Sequence, residues 1–321
     1  YGLNARIKCD RVKRRYARTV ERYATVDRPD GGALLRTRIR ASRLGRGIRR
    51  APHAILLHGT DEQQDRSGMV QALERVGHLT CFTRADGSYG QNEPAPPAKR
   101  RANNTRRLGG VVQELAEERR LPDILIAQTW AGVVAPNALG EIRARYGTFV
   151  ANIAMDDRHQ YWGQRVQGEW DGTYPLISHL DLTLTAAPEC VEWYEKEGCP
   201  ALFFPEASDP DIFRPMPELP KIHDVCFVGG RYGIRERMVS ALRASGIRVA
   251  AYGSDWEAGR IAIEAVPRLF AQSKIVLGIG TIGHCEDFYA LKLRDFDGPM
   301  SGSLYLTHDN PDLALMDENG R

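Results

Sequence analysis

The 321-residue sequence holds no uncharged apolar run near the length of about eighteen residues that a bilayer-spanning helix needs. Its first fifty residues are basic without an apolar h-region, so they lack the pattern of a secretory signal. The six cysteines, Cys9, Cys81, Cys190, Cys199, Cys226 and Cys285, form no CxxC pair and no metal-finger spacing. A zinc module and a disulfide scaffold are thereby disfavoured, and all six read as reduced, mostly buried thiols of a cytoplasmic protein. Internal repeats and low-complexity tracts are absent. The sequence starts at Tyr1 rather than at a methionine and stops at Arg321, which reads as a fragment.

Hydrophobic residues make up 42% of the chain, enough for two cores, and this length is commonly two domains. A net charge of +3 conceals an asymmetry. Residues 1–50 contain 16 of the 44 lysines and arginines against four acids, Asp10, Glu21, Asp27 and Asp30, for a net +12, so the remainder carries −9. Such an arm either docks an acidic partner or a membrane surface, or is a solvated basic helix near Val12 to Tyr23 packed on the body. Few aromatics interleave its charges, which argues against nucleic acid.

From Ala54 onward the pattern becomes βαβ. Apolar runs at Ala54–Leu57, Leu79–Thr83, Ile124–Gln128, Phe149–Ala154, Asp181–Thr185 and Ala201–Phe204 read as strands. Between them, Gly68–Val76, Arg106–Arg120 and Pro136–Tyr146 read as amphipathic helices, as expected of a parallel sheet with crossover helices. The proline-rich Gln91–Ala98 is a loop. Pro205–Pro220 has five prolines and little periodicity, marking a linker. A second, shorter βα series follows: strands at Val225–Val228, Val249–Tyr252, Lys274–Leu277 and Leu304–Thr307, with helices at Arg235–Ala244, Ala265–Gln272 and near Ala290–Arg294.

Two segments carry chemistry. In DVCFVGGRYG the strand ends at Gly229 and Gly230 and leads into a helix bearing Arg231 and Arg235, and a helix N-terminus with arginines suits phosphate. In LKLRDFDGPMSG, Asp297 stands on a turn five residues ahead of Gly302, where a carboxylate can accept two hydrogen bonds from a ribose diol. Taken singly, each is equally readable as ordinary α/β connection chemistry. Asp156, Asp157 and His159 follow a strand and read as lining a cleft and orienting an acceptor, or as a plain turn with an N-cap. No partner ligands lie at metal spacing. His58, just after the first strand, is a second acceptor-side candidate.

Six segments in order, PDILIAQTW, FVANIAMDDRHQYW, HLDLTLTAAPECVEWYEKEG, FFPEASDPDIFRP, DVCFVGGRYGIRERMV and LKLRDFDGPMSGSLYLT, resemble the CgeB-like, spore-maturation glycosyltransferases, relatives of the retaining enzymes of GT-B fold. The resemblance implies an α/β protein of two Rossmann-like domains: an arm over 1–50, an acceptor domain over 51–215 and a donor domain over 216–321 that is short or truncated. It implies a cytoplasmic hexosyltransferase, peripheral at a membrane as an option. This enzyme would take sugar from a nucleotide diphosphate, a UDP-sugar foremost, to a glycan, protein, lipid or small molecule, with retention and without metal or other cofactor. On that reading Gly229, Gly230, Arg231, Arg235, Lys292, Arg294, Asp297 and Gly302 hold the donor, and Asp156, Asp157, His159 and His58 serve the acceptor. One departure stands out: the wider superfamily has a glutamate eight residues before the Asp297 position, and this chain has Tyr289 there, with Glu286 or Asp287 as substitutes nearby. A catalytically silent nucleotide-sugar-binding or scaffold protein of the same fold is the alternative.

Overall fold

A computed structural model describes residues 2–47 and 52–316, so the expected boundary at 50/51 and the last five residues lie outside the described residues. The chain divides into two compact units. One is Thr19–Phe204 and the other combines Tyr1–Arg18 with Pro205–Arg321, so the basic arm is shared between them rather than forming a piece of its own.

The arm is helical. Helix α1 (Leu3–Tyr23) is followed by α2 (Gly31–Ala41), whose first turn is capped by the Asp30 carboxylate accepting from the Ala33 amide. In the larger unit the elements run β1 (Ala54–His58), α3 (Glu62–Asp65), α4 (Met69–Val76), β2 (His78–Cys81), α5 (Pro97–Glu117), β3 (Ile124–Ala127), α6 (Pro136–Tyr146), β4 (Phe149–Ala154), α7 (Asp157–Gln160), a hairpin of β5 (Arg165–Val166) and β6 (Glu169–Trp170), β7 (Leu182–Thr185), α8 (Pro188–Lys196) and β8 (Ala201–Phe203). Six strands form one parallel sheet in the order β2-β1-β3-β4-β7-β8. Its central strands are buried on both faces, β4 at every residue, which is why they read as continuous apolar runs.

The smaller unit continues with β9 (His223–Val228), α9 (Ile234–Ala244), β10 (Val249–Tyr252), α10 (Val266–Ala271), β11 (Ser273–Leu277), α11 (Arg294–Met300) and β12 (Leu304–Leu306), in a parallel sheet ordered β10-β9-β11-β12. Strand alternation splits its core. Val225, Phe227 and Leu277 join Val239, Ala251 and Trp256 on one face, while Cys226 and Val276 meet Phe213 and Phe270 on the other. The fold class expected from sequence, two Rossmann-like α/β domains with the second smaller, is what the chain adopts.

Three local readings are corrected. The helix expected near Ala290–Arg294 instead begins at Arg294, and Asp297 therefore lies in its first turn, not in a loop. The proline-rich 205–220 stretch does begin where the chain passes between units, but beyond that point it packs into the smaller one: Phe213 is fully buried against Phe270, held by the Ile212 and Phe213 amides donating to the Asp209 carbonyl. Finally, Cys9 and Cys285 are joined as a disulfide with Cα atoms 5.0 Å apart, so not all six cysteines are free thiols. Among the described residues, no helix is long and apolar enough to cross a membrane.

Candidate functional site

In both sheets the strand order reverses beside the first strand, between β1 and β3 in one unit and between β9 and β11 in the other. At such a point the connections diverge to opposite faces, leaving a crevice outside the carboxyl ends of the strands where α/β proteins place ligands.

The β9/β11 crevice is where the site residues of the smaller unit meet. Gly229 follows β9 with φ +153°, and a Cβ there would sit 2.9 Å from Nη1 of Arg294, so only glycine lets that guanidinium approach. Gly233, at φ +59°, begins α9, an eleven-residue helix, without a side-chain cap; of the first-turn amides, that of Arg235 donates to the Tyr232 carbonyl at 3.2 Å. Arg235, in that first turn, is only 4% exposed and donates to the carbonyls of Gly230 (3.3 Å) and Ile279 (3.4 Å). Arg294, at the start of α11, donates to the carbonyls of Val228 (2.6 Å) and, again, Ile279 (3.1 Å).

Two guanidiniums thus share one carbonyl and lie over one ring, that of Phe227, at 5.7 and 4.9 Å from its centre. Neither has a carboxylate within ion-pair distance among the described residues, and the Nε of each is buried without a hydrogen-bond partner. Burial first, and the charge of Arg294 second, push Arg235 down to about 10. Like charges held together out of water are costly unless an anion joins them.

Around this pair lie further unsatisfied groups. Asp297 is buried, its Oδ1 accepts no hydrogen bond, and burial pushes its carboxyl up to about 7 against the pull of Ser208 and Arg294. Nε2 of His308 and Nδ2 of Asn310, just beyond β12, are buried and unpartnered, and both face the place a side chain at Gly280 would occupy, at 3.6 and 3.8 Å from its Cβ. Burial lowers the pKa of His308 against the pull of Asp295. Sequence reasoning passed over His308 and Asn310. Their signal was position, two to four residues past the strand at Leu304–Leu306, on the carboxyl edge.

Other expected donor residues are placed differently. Arg231 pairs with Glu236 (2.6 Å) and Glu257 (3.0 Å) and lies over the Trp256 ring, so its charge is already matched. Lys292 precedes α11, its amide donating to Asp295, and Gly302 closes that helix at φ +73°, against Pro215. Glu286 pairs with Arg237 and Asp287 with Lys13, while Tyr289 stacks on His308 at 4.4 Å.

Residues 235–321 match the glycosyl transferase-like family model. This glycosyltransferase-like segment lies within the smaller unit and contains Arg235, Arg294, Asp297, His308 and Asn310. No curated protein matches the chain.

At the β1/β3 crevice of the larger unit, His58 is completely buried with both ring nitrogens unpartnered, and burial lowers its pKa to about 3. The Oε1 atoms of Gln91 and Gln128 and the Oγ1 of Thr129 are likewise buried and unsatisfied beside it, tied together by Gln128 N–H to the His58 carbonyl (3.1 Å) and Gln91 Nε2 to the Gln128 carbonyl (2.5 Å). A histidine that weak as a base does not take a proton near neutrality. Asp157 is buried beneath β7, accepting from the Thr185 hydroxyl at 2.5 Å, and burial pushes it up to about 7. Asp156 begins the one-turn α7 that carries His159. Of the acceptor-side candidates, His58 lies at the β1/β3 crevice, and Asp156, Asp157 and His159 lie after β4, two strands along the same sheet.

Proposed function

We propose that the smaller unit binds a nucleotide sugar by its diphosphate and that the protein is a metal-independent, retaining glycosyltransferase. The observation that carries this reading is the buried guanidinium of Arg235 and the half-buried one of Arg294, both without a carboxylate partner and converging on one carbonyl. A diphosphate bridging them would satisfy both Nε groups and offset their repulsion, with the dipole at the start of α9 adding to the field. As the glycosidic bond breaks, negative charge grows on the leaving diphosphate, and two fixed cations in a water-poor crevice stabilise it most at that moment. Asp297 stands ready as a ribose partner, with His308 and Asn310 as polar partners for the sugar. A UDP-sugar is the donor we test first.

The test is calorimetric titration of uridine, guanosine and thymidine diphosphates. Arg235→Met and Arg294→Met should each weaken the bound nucleotide by about 1.5–3 kcal/mol, the usual worth of a charged hydrogen bond. Arg231→Ala should leave affinity nearly unchanged. Equal affinity in all three variants would refute the site.

A silent, nucleotide-sugar-binding relative is the second reading. It is favoured by one observation: the two acids near the Tyr289 position are both engaged in ion pairs. Slow release of free sugar from the bound donor, absent in Arg294→Met, would support transfer chemistry. Binding without any such release would support the silent alternative.

A further inference from the structure

The larger unit has a further concavity, among several, that none of the roles above uses. It is a cavity of about 480 Å3 beyond the carboxyl ends of β3 and β4, walled by the β5–β6 hairpin and the start of α6. The hairpin turns through Gln167 and Gly168, both at positive φ (+52° and +91°), and residues 164–169 are exposed, with Val166 at 53%. What it does is carry Trp170 to the cavity, backed by Trp162 at 5.7 Å, which itself rests on Tyr174 at 4.0 Å.

The Arg165 guanidinium lies over the Trp170 ring, 5.5 Å from its centre, and the remaining lining is polar. Arg101 reaches Glu169 with both terminal nitrogens at 3.3 Å, cancelling charge, and Asn137 and His179 add a neutral amide and an imidazole whose pKa is lowered by burial and by Arg143. An indole face beside planar amide, imidazole, carboxylate and guanidinium groups suits a ligand with one apolar C–H face and an edge of hydroxyls.

We propose that this cavity is a saccharide-binding site that seats a neutral sugar ring against Trp170. On the transferase reading it is where a sugar of the acceptor rests, but sugar binding itself can be measured independently of transfer. The nucleotide-free full-length chain is titrated with neutral oligosaccharides of the gluco, galacto, manno and N-acetylglucosamine series, following tryptophan emission and heat. At least one should bind. Trp170→Ala should weaken it about tenfold or more, Trp170→Phe should recover most of the loss, and Asn137→Ala, at an exposed helix start, should weaken it by about threefold at unchanged melting temperature.

Uridine diphosphate affinity should be the same in all three variants. Loss of sugar binding alone overturns this inference and leaves the proposed function standing, whereas loss of nucleotide binding alone does the reverse. No saccharide bound, or unchanged binding in Trp170→Ala, would overturn the site. So would a Trp170-dependent emission change caused by the nucleotide instead, which would make the cavity a nucleobase platform.

Discussion

At the scale of single residues, buried acids set a pH dependence. Asp157 and Asp297 are both pushed up to about 7, and Asp65, bonded by Thr60 and Tyr89, to about 6. Because each folded-state pKa lies above the unfolded value near 4, these groups support folding most below pH 4, and that support is lost as pH rises through 6 and 7. Asp157→Asn, which keeps an oxygen for the Thr185 hydroxyl, should therefore raise stability above pH 7 by roughly 1–4 kcal/mol and change little at pH 4. Urea melts at both pH values check this, and a larger effect at pH 4 would contradict the assignment. The same scale shows where sequence runs out. Arg231 and Arg235 look alike in DVCFVGGRYGIRER, yet Glu257, some twenty-six residues on, matches one of them while Arg294 crowds the other. Partners supplied from other elements decide which arginine is left unmatched, and local pattern does not hold that information. Asp297 could be singled out because its spacing to Gly302 is local, though not its place in a helix, whereas His308 and Asn310 stand out only when β12 places them beside Gly280.

At the scale of elements, the long periodic segments were readable, and the breakers misled. Pro136–Tyr146, Phe149–Ala154 and Val249–Tyr252 form over the spans that their periodicity indicates. Gly298 and Pro299 read as a turn, but helix α11 runs through them, and Pro97 opens α5 nine residues ahead of the apolar stripe because proline suits a first helical turn. Helix α1 shows a contact no local pattern predicts. Cys9, Lys13 and Tyr16, spaced to share one helix face, meet Cys285, Asp287 and Phe288 through a disulfide, an ion pair and a ring contact at 5.0 Å. The exposed ion pair is worth little, so the disulfide dominates. Cys9→Ser should lower stability by about 2–4 kcal/mol, read from denaturant midpoints under non-reducing conditions. The same loss should follow when the wild type is reduced, and a midpoint insensitive to both would show that α1 is not held there.

At the scale of the whole molecule, two sheets repeat one strand order, 2-1-3-4, and each has buried, unsatisfied polar groups at its reversal point. The repetition was visible in the sequence as two βα series. Its division was not, because the chain passes between units twice, after Arg18 and after Phe204, and composition marks only the proline-rich second passage. A ligand that binds one unit stabilises that unit by mass action, by about 2.7 kcal/mol at one hundred times its dissociation constant. Saturating uridine diphosphate should thus slow amide exchange in peptides from β9, β11, α9 and α11, and also in the first turns of α1, which belong to the same unit although they lie some two hundred residues away in sequence. Peptides from β1, β3 and β4 should exchange as before, and Arg294→Met should abolish the protection. Exchange mass spectrometry of the full chain separates the outcomes. Protection confined to 205–316, with α1 unaffected, would mean that the helix does not share the folding unit of the donor site. Protection spread equally over β1 to β4 would mean that the ligand acts on both units at once, and the assignment of the diphosphate to the Arg235 and Arg294 crevice alone would fall.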